Sequence, residues 1–145
     1  MDGDALQQRA RNRVNELPGA DLEHPFGPEW EVFKVRNKVF LLMTERNGAP
    51  VVTVKVDPED GKALCEQYAG ITPGYHMNKR HWITVYPDGG VPASLLEDLV
   101  TESYLLVVGR LPRAKRPVDP ALFGDHRSQD VPPERTVDGA GESSS

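Results

Sequence analysis

The sequence predicts one α+β domain with an antiparallel sheet, followed by a polar tail. Strand-like segments lie in a run between helix-like segments and do not alternate with them, a pattern typical of α+β proteins. The chain has 145 residues, of which 38% are hydrophobic, and this suits one core with a polar extension. Residues 113–145 are rich in Pro, Asp, Arg, Gly and Ser. We therefore expect the domain to span residues 1–112 and the tail, 113–145, to be disordered.

One helix and a three-stranded meander are predicted in the first half of the chain. Residues 4–16 (DALQQRARNRVNE) place apolar side chains near helical spacing behind Asp4, a plausible N-cap. Three short segments rich in β-branched and aromatic residues follow, separated by the turn signals Asn37 and Asn47-Gly48: residues 30–36, 39–44 and 51–56. Short strands joined by tight turns form an antiparallel meander.

The second half is predicted to contain a helix, a strand and a last helix. Asp57 followed by Pro58 is a good helix start, and that helix should end near Tyr68. A strand is predicted at residues 79–86. The last helix, residues 92–111, has a broad apolar face, and a break near Thr101 could divide it into two.

Charge and cysteine content limit the class of protein. The net charge is −5, which argues against a surface covered in phosphate-binding charge but allows a local basic patch. The single cysteine, Cys65, excludes a disulfide within the chain and makes the cytosol the default compartment. The N-terminus lacks an apolar stretch of signal-peptide length, and no window is apolar enough for a membrane span. We expect a cytoplasmic monomer without cofactor, metal or membrane.

The most unusual segment is PGYHMNKRHW, residues 73–82. Residues 71–82 include two His, one Lys, one Arg, one Asn, one Tyr and one Trp, and no acid. Cationic and aromatic side chains in one segment suit phosphate contact and stacking. The candidate nucleic-acid or ligand-binding residues are Tyr75, His76, Asn78, Lys79, Arg80 and His81, together with Lys34 and Lys55 if these share a face with the segment. Alternating strand residues face opposite ways, so not all of them can meet one ligand.

A purely structural interpretation of the same segment stays open. Trp82 would fill the core, and Asn78 and Lys79 would bond inward to fix a difficult turn. The loop HPFGPEW, residues 24–30, would be rigid, with Phe26 and Trp30 anchored in the core, or would form a pocket wall facing residues 75–82. The arginines of the first helix and of residues 110–116 are either solvated charges or non-specific phosphate contacts.

Catalytic and metal-binding functions lack a sequence signature. The chain contains no GxSxG, no phosphate-binding loop and no HExxH. His76 and His81 are five residues apart, which aligns them poorly on a helix and opposes them on a strand. We therefore expect a non-enzymatic protein without a metal site.

Several segments resemble one known family. LPGADLEHPFGPEWEVFKV (17–35), VKVDPED (54–60) and PGYHMNKRHWITVY (73–86) are similar to the MmcQ/YjbR family, and SYLLVVGRLP (103–112) resembles its closing helix. The resemblance covers residues 1–112. It implies a CyaY-like, double-wing α+β fold and a DNA-binding function, with double-stranded DNA as partner.

Two functions follow for comparison with the structure. A DNA-binding protein would need a continuous positive surface built from several elements. The alternative is a small-molecule (anionic ligand) or protein-binding domain, with the HPFGP and PGYHMNKRHW loops forming a pocket. Such a site would need a concave surface with few convergent polar groups.

Overall fold

The computed structural model describes residues 1–74 and 77–123 and divides the chain into two units, Met1–Arg110 and Leu111–Ser145. The described residues of the first unit form three helices, α1 (Gly3–Val14), α2 (Pro58–Gln67) and α3 (Ala93–Gly109). The same residues form six strands: β1 (Ala20–Glu23), β2 (Glu31–Val35), β3 (Lys38–Arg46), β4 (Ala49–Lys55), β5 (Ile71–Pro73) and β6 (Trp82–Val85). Within the described residues, no helix is both long and apolar enough to cross a bilayer.

The predicted α+β class and antiparallel sheet are confirmed. All six strands form one antiparallel sheet in the order β1-β2-β3-β4-β6-β5. Two strands were not predicted, β1 and β5. They have four and three residues and lie at the two edges, where short segments give little periodic signal.

Several predicted boundaries change. The N-cap of α1 is Asp2 rather than Asp4, because the Asp2 carboxylate accepts a hydrogen bond from the Ala5 amide at 2.8 Å. Strand β6 begins at Trp82 and not at residue 79, since a tight turn occupies the preceding residues. The last helix is continuous through Thr101. The predicted start of α2, with Asp57 as N-cap and Pro58 in the first turn, is confirmed.

The described part of the second unit has local structure. Arg113–Lys115 form a 3₁₀ helix, and residues 120–123 form a helical turn closed by a hydrogen bond from the Phe123 amide to the Asp119 carbonyl. Pro120 begins that turn, a position that suits proline. The predicted tail, residues 113–145, thus begins with local structure in residues 113–123. The rest of the predicted tail, residues 124–145, lies outside the described residues.

The core lies between the sheet and the helices α1 and α3, which pack on each other and on the central strands β3 and β4. Leu6, Ala10 and Val14 of α1 are buried, at helical spacing. From α3, Leu96, Val100 and Val108 are fully buried. These apolar faces follow the spacing that predicted the two helices, and their burial is the main force holding them on the sheet.

A bulge in β3 joins the sheet to α3. Phe33 pairs with Leu41 but Lys34 pairs with Val39, which leaves Phe40 as the extra residue. The ring of Phe40 packs edge-on against Tyr104 of α3, with centroids 5.5 Å apart. The neighbouring Ser103 hydroxyl accepts a hydrogen bond from the Lys55 amide at 2.8 Å and donates one to the Phe40 carbonyl. A helix side chain thus satisfies two backbone groups at the end of the β3–β4 pair.

Tyr104 will stay protonated at a pH where a free tyrosine ionises. Its hydroxyl donates to the Pro18 carbonyl, and burial raises the pKa of Tyr104 to about 12 although the charge of Arg36 lowers it. Because the unfolded pKa is lower, about 10, this hydroxyl stabilises the fold below pH 10 and that contribution is lost as the pH rises through 12. An ultraviolet titration of the folded protein should show a transition near pH 12 that is absent in Tyr104→Phe. Wild-type and Tyr104→Phe curves that change by the same amount above pH 10 would contradict this.

Candidate functional site

A cleft with a volume of about 710 Å³ lies between α2 and the strands β5 and β6. Ile83 of β6 contributes to its apolar lining. Gly61 allows α2 to lie close to the sheet, since a β carbon there would be 2.8 Å from the Val56 side chain. The charged residues lining the cleft come from both sides: Glu59, Lys62 and Glu66 from α2, and Lys79 and Arg80 from the segment before β6.

A tight turn presents Lys79 and Arg80 to this cleft. The Asn78 side chain accepts a hydrogen bond from the Arg80 amide at 2.9 Å, and the Asn78 carbonyl accepts one from the His81 amide at 3.2 Å. Such side-chain bonds to the backbone two residues on are the reason Asn favours turns. The turn is thus fixed by its own first residue, which leaves the side chain at position 80 exposed.

Lys79 is partly engaged by the same loop. Its ammonium donates to the Gly74 carbonyl at 3.1 Å, and the Gly74 amide in turn donates to the Trp82 carbonyl at 2.8 Å. Asn78 and Lys79 therefore bond to the backbone, as the structural interpretation of the segment predicted. Trp82 is buried, also as that interpretation predicted.

Arg80 is the cation of the segment that remains available. Its side chain is exposed and makes no hydrogen bond or ion pair with another residue in the described ranges 1–74 and 77–123. His81 is half-buried, and its carbonyl accepts a hydrogen bond from the Val56 amide at 2.8 Å. Tyr75 and His76, the remaining candidates of the segment, lie outside the described residues.

Lys34 and Lys55 lie on the sheet face opposite the cleft. Lys55 pairs with Trp82, and its ammonium sits 5.7 Å from the centre of that ring, whereas Ile83, the next residue, points to the cleft. Burial lowers the pKa of Lys55, and the positive charge of Arg110 lowers it further. Lys34 forms an ion pair with Glu23 at 3.0 Å. The two lysines therefore do not extend the basic surface of the Lys79–Arg80 turn.

The arginines of α1 are also neutralised by carboxylates. Arg11 makes two 2.9 Å contacts with the Glu31 carboxylate, and the hydrogen bond to that carboxylate raises the pKa of Arg11. Arg9 lies 3.2 Å from Glu97, and Arg13 lies 3.7 Å from it. These pairs attach α1 to the sheet and to α3, so the arginines are neither purely solvated charges nor a free phosphate-binding row.

The loop of residues 24–30 does not contribute a wall to the cleft. It joins β1 to β2 at one edge of the sheet, whereas the segment with Arg80 joins β5 to β6 at the other edge. The prediction that the two loops form one pocket is therefore wrong, because strands β3 and β4 lie between the β1–β2 pair and the β6–β5 pair. Phe26 packs edge-on against Trp30, at 5.8 Å, but remains 69% exposed, so its predicted anchoring in the core is also wrong.

The sequence analysis did not identify the charged face of α2 as part of a candidate site. Residues 59, 62 and 66 are spaced three and four apart, which places them on one side of a helix, and this signal was available. Cys65 lines the same cleft, and burial together with Glu66 raises the pKa of its thiol, which disfavours a nucleophilic role. Within the ranges that the structure describes, no cluster of three His, Cys, Asp or Glu residues could hold a metal ion.

Comparison with known proteins identifies the family. The sequence model of the YjbR family matches residues 15–106. The chain is 45% identical over 116 residues to the uncharacterized protein YbdF of Escherichia coli O157:H7, covering 80% of this chain and 93% of that protein. It is 38% identical over 101 residues to the uncharacterized protein YjbR of Escherichia coli K12, covering 68% and 84% of the two chains.

Solved structures agree with this relationship. The crystal structure of the Deinococcus radiodurans protein DR2400, with a DUF419 domain, matches with a TM-score of 0.68 and 40% identity, covering 73% of this chain and 81% of that chain. A Pseudomonas syringae protein matches with a TM-score of 0.59 and 29% identity, covering 73% and 98%. The family match includes β1 to β6 and most of α3, and hence the cleft and the Lys79–Arg80 turn. The chain belongs to the YjbR family.

Proposed function

We propose that the protein is a non-catalytic binding module that takes a small anionic ligand into the cleft between α2 and β6, with Arg80 as the principal contact. The observation that carries this proposal is the position of Arg80, exposed at the rim of a concave site and unpaired among the described residues. By contrast, Lys34 and the α1 arginines are held by carboxylates.

The chemistry of the site suits an oxyanion such as a phosphate or carboxylate. A guanidinium presents a planar fork that binds two oxygens at once, and such charge-assisted pairs are stronger than neutral hydrogen bonds. Lys79 uses one N–H on the Gly74 carbonyl and keeps two donors, while Lys62 adds a third cation from α2. The cleft volume, about 710 Å³, lies in the range of small-molecule sites, about 300–1,000 Å³.

Ethyl phosphate should bind at this cleft and lose affinity when Arg80 is removed. In a titration followed by ¹H–¹⁵N NMR, we expect shifts concentrated at Lys62, Glu66 and residues 78–81. Arg80→Ala should weaken binding by about tenfold or more, the value of one charge-assisted contact. Lys34→Ala, on the opposite face of the sheet, is the matched control and should bind normally. Equal affinity of the wild type and Arg80→Ala would exclude this role for Arg80.

Double-stranded DNA is the second candidate ligand, favoured by the exposed position of Asn78, Lys79 and Arg80 on one turn and by the family resemblance. Phosphate contact by these side chains would give salt-dependent binding to random duplex. If Lys79 and Arg80 each contact one phosphate, we expect log K to fall by only about 2 per tenfold rise in salt. Duplex binding lost in Lys79→Ala/Arg80→Ala would favour DNA, and ethyl phosphate binding without duplex binding would favour the small ligand.

A further inference from the structure

The described residues that line the cleft between α2 and β6 place carboxylates on only one of its two walls. Lys79 and Arg80 lie on the wall formed by the turn, and Glu59, Lys62 and Glu66 lie on the α2 wall. Among the described residues, neither carboxylate forms an ion pair within 4.0 Å. The positive and negative groups are therefore too far apart to neutralise one another directly, although they border one volume of about 710 Å³.

Glu66 is the more poorly compensated of the two carboxylates. Glu59 lies in the first turn of α2, where the helix dipole favours negative charge. Glu66 lies in the last turn, where the dipole disfavours it, and that turn contains no basic residue. Lys62 is four residues before Glu66 on the same face, yet the two do not pair. A cation supplied from outside the chain would relieve this unfavourable charge.

The two carboxylates also restrict which anion the cleft can accept. A simple anion drawn to Arg80 would approach Glu59 and Glu66 as well, and these like charges would repel it. An anion that also carries a positive group at its other end would meet opposite charge on both walls. The arrangement therefore discriminates between a simple anion and a zwitterion, an effect that depends on repulsion as much as on attraction.

We propose that the ligand of this cleft is a small zwitterion, with a phosphate or carboxylate on Arg80 and a primary ammonium on Glu66. This inference rests on the anionic-ligand function proposed above and specifies its chemical class. Residues 59 and 66 are seven apart on α2, about 10 Å along the helix axis. A ligand of a few bonds can therefore reach one carboxylate at a time while its oxyanion stays on the turn.

Paired probes that differ only in the amine test the inference. O-phosphoethanolamine and ethyl phosphate are titrated at pH 7 into the full chain under the same NMR conditions, with 4-aminobutyrate as the carboxylate counterpart. We expect phosphoethanolamine to bind about tenfold more tightly than ethyl phosphate, as one charge-assisted contact allows. Glu66→Gln should remove that preference, because it removes the attraction for the amine and the repulsion of ethyl phosphate together. Glu45 is exposed on β3, so Glu45→Gln is the control and should keep the preference for phosphoethanolamine.

The outcomes separate this inference from the function on which it rests. Equal affinity for phosphoethanolamine and ethyl phosphate would show that the ligand is not selected as a zwitterion, while the proposed anion site would stand. A preference that persists in Glu66→Gln would overturn the role of that carboxylate. If no probe binds, the anion site itself is wrong. Binding of phosphoethanolamine but not of 4-aminobutyrate identifies the oxyanion as a phosphate, and the reverse identifies a carboxylate.

Discussion

Ser103→Ala should lower the free energy of unfolding by about 2–4 kcal/mol, because two backbone groups lose their partner at once. The Ser103 hydroxyl is fully buried, accepts from the Lys55 amide and donates to the Phe40 carbonyl at the bulge. Alanine fills the same space without either bond, and no water replaces the hydroxyl in a packed interior. Chemical denaturation monitored by tryptophan fluorescence would measure the change.

The control for this substitution lies on the same helix. Ser94, near the start of α3, is exposed, so Ser94→Ala should change the stability by less than about 0.5 kcal/mol. Ser103→Thr should restore the hydroxyl but crowd the site with a methyl group, and should fall between the wild type and Ser103→Ala. If Ser103→Ala were as stable as Ser94→Ala, the two hydrogen bonds of the Ser103 hydroxyl would contribute nothing to the free energy of unfolding.

Gly74→Ala should damage both the stability and the cleft. A β carbon at residue 74 would lie 2.6 Å from the Trp82 β carbon and 3.0 Å from its carbonyl oxygen, and neither atom belongs to a flexible side-chain end. The backbone must move apart, at a cost of about 1–3 kcal/mol. The Gly74 carbonyl that holds Lys79 would move with it. We therefore expect a lower melting temperature and weaker ethyl phosphate binding in the same variant.

Gly109→Ala is the matched control for Gly74→Ala. This glycine ends α3, and a β carbon there would meet no atom within 4 Å. Since alanine loses less backbone entropy than glycine in a helix, this variant should be as stable as the wild type or more stable by up to about 1 kcal/mol. Equal melting temperatures of Gly74→Ala and Gly109→Ala would show that the backbone around residue 74 can move to accept a β carbon without loss of stability.

The helices and the long central strands could be predicted from the sequence alone. The caps Asp57-Pro58, the Asn47-Gly48 turn and the apolar spacing of α3 are local signals, and each predicts its element correctly. The edge strands β1 and β5 are too short to show a period, and only pairing with β2 and β6 defines them. The bulge at Phe40 depends on Ser103 and Tyr104, over 60 residues away, which no local pattern contains.

The candidate site was predictable in part. Residue types in the segment from Asn78 to His81 indicated a cationic site, but the structure has a tight turn where the sequence predicted the start of a strand. Which cation is available depends on tertiary partners, because the Gly74 carbonyl engages Lys79 and nothing described engages Arg80. The opposite wall of the cleft is formed by α2, whose close packing on the sheet requires the missing side chain of Gly61. Charge patterns alone likewise could not show that Lys34 and the α1 arginines are neutralised by distant carboxylates.

The two edges of the sheet have a consequence for aggregation. An exposed edge offers unpaired backbone groups on which a second sheet can grow into a fibre. Here one edge strand has four residues and carries Glu23, paired with Lys34, and the other has three and ends at Pro73, which has no amide hydrogen to donate. Neither edge is long enough to template another strand, so concentrated protein should resist edge-to-edge polymerisation while its folded state persists.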